Sequence, residues 1–256
     1  MGSQAVNNGP IPGLQVIITK KVLEHACKIH NKLSEESKDQ DRAEHIHSLL
    51  WLLKECGVQD TFGIVDVHNH FDVPCGFHLV TKIEGHQAGK TCISTQLAQD
   101  EDLKSRELCG HKFAYIPGLG WYAYEFRLGT LLDTNEAYTK FISRFSKYLD
   151  KHNITSLGLE YTIPQLSEIQ VYETVSKTQQ KMDLKEFSEF SELPNGLRWV
   201  PTCWRWSSKS EDTMSPMVFC GIDPDTGDHD PPKPDPPKPK DLINNVYPIL
   251  GQLSLP

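Results

Sequence analysis

A chain of 256 residues with 38% hydrophobic content is long enough to build its own core, and its formal charge of -8 argues against a surface made for nucleic acid or anionic lipid. No run of about 18 apolar residues and no basic leader at Met1-Gly2-Ser3-Gln4 point to a membrane span or a signal peptide, so a cytoplasmic protein is expected. The seven cysteines are odd in number and scattered, without any C-x-x-C pair, which excludes a disulfide framework and a zinc knuckle in favour of reduced thiols.

In chain order, residues 1–13 with Gly9-Pro10-Ile11-Pro12-Gly13 read as an irregular lead-in, and Leu14 to Thr19 as a short strand. From Lys21 to Cys56 the pattern is helical, with two helices broken near the polar Ser34 to Asp41 stretch. Ile46, Leu49, Leu50 and Leu53 recur at helical spacing, and Gly57 follows where a left-handed cap belongs. From Thr61 to Arg127 the spacing predicts strands punctuated by turns: Thr61 to Phe71, Phe77 to Glu84, Thr91 to Leu97, Phe113 to Ile116 and Trp121 to Phe126.

Asn135 to His152 predicts an amphipathic helix whose stripe is Tyr138, Phe141, Ile142, Phe145, Tyr148 and Leu149. Asn153 supplies a left-handed stop. Leu157, Leu159, Tyr161 and Ile163 alternate as a strand. The stretch from Ser167 to Leu193 is ambiguous, and only a helix near Asp183 to Phe190 is assigned there. Arg198 to Trp206 and Pro216 to Cys220 read as a final strand pair. Pro231 to Lys240 lacks most of its amide donors and predicts an extended polyproline segment, with Leu242 to Leu255 apolar enough to dock back.

The fold class expected is therefore α+β. An antiparallel sheet of about five or more strands would carry an N-terminal helical segment and a long amphipathic helix packed on one face. Residues 14–222 form its single domain, and 223–256 form an acidic turn, Pro-rich segment and tail.

The chemistry centres on Val65-Asp66-Val67-His68-Asn69-His70, because residues two apart on an extended strand project from one face and both imidazoles can then grip one ion. His78, across the next turn, is the preferred third ligand, with His86 or a carboxylate as alternatives. The divalent metal is iron, zinc or copper. Asp72 continues the parity of the two histidines, and Glu125 supplies a second carboxylate; both are assigned catalytic roles. Tyr124, Trp204 and Arg205 are assigned to substrate binding, an arginine between aromatic rings being suited to orient a carboxylate. Cys203 as a nucleophile needs an adjacent base, and the sequence names none.

Two resemblances attach to these residues. Val65 to His70 resembles the first-strand signature of amidohydrolases, which implies a parallel (β/α) barrel; yet the next element here is a strand only a few residues on, with no room for a helical crossover. The same residues are similar to the first motif of cupins, which implies an antiparallel double-sheet barrel. Here Gly63 precedes His68 by one residue fewer than that pattern wants, Asp72 stands too early for its Glu, Gly76 follows, and no second motif appears downstream. A phosphate-cradling loop, a G-x-S-x-G elbow and an H-E-x-x-H helix are all absent.

The function expected is a metal-dependent enzyme acting on a small organic molecule, oxidative or hydrolytic. The different-class alternative is a binding module that uses an aromatic cleft and docks an SH3-like or WW-like partner through the Pro-rich tail.

Overall fold

The alternating segments from Thr61 onward build ten strands that close on themselves. The structure is a computed structural model that describes residues 10–33, 42–87, 90–103, 108–133, 135–163, 169–188, 190–206 and 214–225. The strands are β1 (Phe62–Asp66), β2 (Phe77–Gln87), β3 (Lys90–Gln99), β4 (Leu108–Ile116), β5 (Gly120–Leu128), β6 (Leu157–Tyr161), β7 (Gln170–Ser176), β8 (Lys181–Phe187), β9 (Arg198–Trp206) and β10 (Met214–Ile222). Among the described residues three α-helices accompany them, α1 (Lys20–His30), α2 (Arg42–Glu55) and α3 (Glu136–His152).

The expected α+β class with an antiparallel sheet is overturned by the strand order. The ring runs β1-β6-β4-β5-β2-β3-β8-β7-β10-β9 and closes where Ile64 and Val65 of β1 pair with Trp204 and Cys203 of β9. Two of its pairings, β2 with β5 and β7 with β10, are parallel. Closure satisfies the backbone groups that an open sheet leaves at its edges.

One layer of side chains joins the barrel wall to the helices. Phe62 and Ile64 of β1, Phe113 of β4, Leu157 and Leu159 of β6 and Trp204 of β9 share a core with Leu49, Leu50 and Leu53 of α2 and Phe141, Phe145 and Leu149 of α3. Phe62 stacks on Phe141 with ring centroids 5.5 Å apart, and Trp121 on Phe145 at 5.1 Å. Asn135 caps α3 by accepting from the Tyr138 amide at 2.9 Å, and Asn153 ends it with φ of 53°.

Ile64 and Trp204 point to this layer, and the strand positions beside them turn to the lumen, where apolar side chains such as Val171 and Cys203 are joined by charged ones. Glu160, Glu173 and Arg205 are all buried. Gly63 makes room for one of them: a Cβ there would stand 2.9 Å from Arg205 Cγ, so a side chain at this position would displace the arginine.

Two local readings also change. Leu14 to Thr19 is a turn with an isolated bridge from Pro12 to Val16 and not a strand. The helix assigned near Asp183 to Phe190 is strand β8, which pairs antiparallel with both β3 and β7. Its helix formers are overridden by tertiary pairing, and Met182 and Leu184 are buried on alternate positions. The Pro-rich run and the rest of the tail beyond Asp225 lie outside the described residues. Among the described residues no helix is long and apolar enough to cross a membrane.

Candidate metal centre

Strand β1 stops at Asp66, so His68 and His70 occupy the irregular segment 67–76 and not the strand on which they were expected. Helix α1 holds that segment in place. His30 Nε2 donates to the Phe71 carbonyl at 3.0 Å and Asn69 Nδ2 to the His30 carbonyl at 3.3 Å. Asn31 brackets Val73, donating from Nδ2 to its carbonyl at 2.9 Å while Oδ1 accepts from its amide at 2.8 Å. Cys27 Sγ lies 3.3 Å from the same carbonyl.

The clamp leaves the two imidazoles in contact, with centroids 4.7 Å apart and planes at 89°. His68 Nδ1 donates to the Asp66 carbonyl at 2.9 Å. Since a carbonyl only accepts, the ring proton is fixed on Nδ1 and Nε2 keeps its lone pair, the arrangement by which ligating histidines are oriented.

Strands β7 and β10 complete the group. Glu173 and Cys220 are register partners across the parallel pairing, and His70 Nε2 lies 3.0 Å from Glu173 Oε2. Donor atoms of His68, His70, Glu173 and Cys220 all fall within 4.8 Å of one another, and all four residues are buried. Two imidazoles, a carboxylate and a thiol form a donor set that can hold a metal ion, and with the thiol ionised its two negative charges match a divalent cation.

The surroundings reinforce the charge pattern. Burial works against the Glu173 carboxylate, but His70 and then Lys112 hold its pKa far below the ordinary range. Burial pushes the Cys220 thiol up, and the Glu173 charge pushes it further. Lys112 stays protonated despite its desolvation because Glu125, Glu173 and Tyr124 face it, with Nζ 3.1 Å from Glu125 Oε1. Tyr124 Oη and Glu125 Oε2 are buried and make no hydrogen bond among the described residues.

A second buried group is complete in itself. Arg205 donates to Glu160 Oε2 from Nε at 3.1 Å and from a terminal nitrogen at 2.5 Å, and His111 Nε2 lies 3.6 Å from the other oxygen. Burial opposes the Glu160 charge, but Arg205 and then His111 bring its pKa down to about 2. Cys203 Sγ is 2.9 Å from the same carboxylate, and burial followed by that charge raises its pKa well above the ordinary thiol value.

Of the residues assigned from sequence, the structure brings together His68 and His70, places Tyr124 within electrostatic reach of Glu173 and Lys112, and pairs Glu125 with Lys112. It sets the others apart. His78 pairs with Asp100, Asp72 is exposed with its carbonyl accepting from Gln180, and Trp204 lies in the outer layer under the Arg42 guanidinium. Arg205 is engaged by Glu160, and the side chain of His86 lies outside the described residues.

The sequence reading missed Glu173 and the place of Cys220 among the donors: it set Cys220 beside Cys203 at the edge of a functional surface, and it named Lys112 as a salt-bridge partner for Glu125, the pair that the structure shows. A signal existed for the first: Val171, Glu173 and Val175 share the buried parity of β7, so a carboxylate stands at a core position. Cys220 sits in an unbroken apolar run and carried none.

Compared with family models, curated proteins and solved structures, the chain matches none of them. The parallel (β/α) barrel implied by the amidohydrolase resemblance is excluded by geometry, since β1 pairs antiparallel with both β6 and β9. The cupin comparison keeps a barrel and a His-x-His, and its third ligand finds no counterpart at Asp72.

Proposed function

We propose that the protein is a metal-dependent enzyme acting on a small organic molecule, with a divalent ion held in the barrel by His68, His70, Glu173 and Cys220. The observation that carries the metal is the convergence of these buried donors from three separate segments. An ion there takes the place of the proton shared between His70 and Glu173.

What supports catalysis is the buried polar space alongside. Among the described residues the Tyr124 hydroxyl and one Glu125 oxygen have no hydrogen-bond partner, and such atoms in a barrel interior are ordinarily satisfied by water or a bound molecule. Lys112 neutralises Glu125 and lies within electrostatic reach of Glu173, so it can stabilise negative charge that develops on a substrate between them. Glu125 is the acid–base candidate by position.

One observation favours a second reading, a purely structural ion: four protein donors are the full complement of a closed tetrahedral site. Metal analysis of the purified chain followed by cobalt(II) substitution separates the outcomes. The enzyme reading expects one ion per chain, a thiolate-to-cobalt charge-transfer band lost in Cys220→Ser, and a visible spectrum that shifts when azide is added. A spectrum blind to azide leaves the structural ion. Absence of stoichiometric metal overturns both.

A further inference from the structure

Beside the donor cluster, between α1 and the β4–β5 hairpin, lies a cavity of about 700 Å³ whose floor is Val67 and Ala114. Its lining is mostly apolar, with Ile29, Leu33 and Ile116, while Thr155 and Ser156 add polar atoms and Lys28 and Lys32 stand at its edge. Clefts of roughly 300–1,000 Å³ are the size that encloses a drug-sized organic molecule.

The charge of this cavity runs against that of the chain. Acidic residues outnumber basic ones 34 to 26 overall, whereas the lining contains the two lysines and His25 and no Asp or Glu. Lys28 and Lys32 are spaced to project from one side of α1 and its terminal turn. Both are exposed, and neither enters an ion pair among the described residues.

The floor connects this cavity to the interior. Val67, Ala114 and Tyr124 form one buried cluster against which Ile29, Leu33 and Ile116 pack, so Tyr124 backs the floor. Val67 is also the residue before His68 on the clamped segment.

We propose that this cavity binds an amphipathic organic anion, its apolar body on Val67, Ala114 and Leu33 and its carboxylate between Lys28 and Lys32. The assignment goes beyond the enzyme reading above: the cavity is a binding site of its own, separated from the metal donors by its floor. Binding itself uses none of the four metal donors.

The test is calorimetric titration of the full chain with decanoate, with decanol and with decyltrimethylammonium, before and after metal depletion. Decanoate is expected to bind one per chain and more tightly than either comparison. The doubly substituted Lys28→Glu/Lys32→Glu chain, altered only at exposed positions, is expected to lose about tenfold or more in decanoate affinity, the scale of one charge-assisted contact, with decanol little changed. Ala114→Phe, with folding checked by circular dichroism, is expected to block both. Equal affinity for decanoate and decanol overturns the anion assignment, and decanoate binding indifferent to all three substitutions overturns the location. Failure of the metal reading shows separately, in the metal analysis, and is expected to leave decanoate affinity unchanged.

Discussion

Glu173 and Cys220 stand directly opposite each other in the parallel pairing of β7 and β10, so two donors of the cluster are set by strand register alone. The remaining two arrive on a segment that has no strand register and depends on α1. The cluster is therefore rigid on one side and adjustable on the other.

That division makes Glu173→Gln an informative substitution. The amide keeps the shape and the hydrogen-bonding reach but removes the charge, leaving His70 without its carboxylate in a buried setting and Lys112 with Glu125 alone of the two carboxylates it faces. Removal of one partner from a buried charge group costs about 3–5 kcal/mol, and loss of stoichiometric metal is expected with it. Urea unfolding midpoints of the metal-free chains and metal analysis of both check the two effects independently.

Arg205 and Glu160 allow the cost of isolated charge to be separated from the worth of the pair. Arg205→Met leaves Glu160 buried beside His111 and Cys203 without its bound guanidinium, and a loss of about 3–5 kcal/mol is expected. Adding Glu160→Gln should return a large part of that loss, because the uncompensated charge is gone. A double variant as unstable as the single would show that packing of the arginine stem, and not charge, sets the penalty.

Acid stability follows from the same carboxylate. Its folded pKa of about 2 lies below the ordinary 4.5, so between those values the unfolded chain binds a proton that the folded chain refuses. The contribution is complete above about pH 4.5, falls as pH drops and is gone once pH has passed below 2. A gap of this size corresponds to roughly 3 kcal/mol. Denaturant titrations at stepped pH on wild type and Glu160→Gln should show the wild-type advantage shrinking through that window.

How far the sequence spoke depends on the range of the interactions. Helix α3 was readable because its signals are local: the Phe141 and Phe145 stripe and the stop at Asn153 belong to one element. The His68 and His70 pair was readable for the same reason. Barrel closure was not, since it rests on Val65 meeting Cys203, a contact that no local period encodes, and alternation reads alike in open and closed sheets. Strand β8 was hidden by Lys181, Lys185 and Glu186, which favour helix until two neighbouring strands claim the backbone.

The adjustable side of the cluster is tested at Asn31, whose two hydrogen bonds to Val73 tie α1 to the segment bearing both histidines. Asn31→Ala removes an acceptor for the Val73 amide and a donor to its carbonyl at an exposed residue whose two bonds are partly buried, so water replaces part of each and a loss of about 1–2 kcal/mol is expected. Its signature should be local. Amide exchange is expected to quicken at Val73 and along 67–76 while the β7 and β10 amides keep their protection, and metal affinity should fall because the donors must be ordered before the ion can bind. Slowed or unchanged exchange in 67–76 would place the ordering of His68 and His70 in the barrel wall instead of in α1.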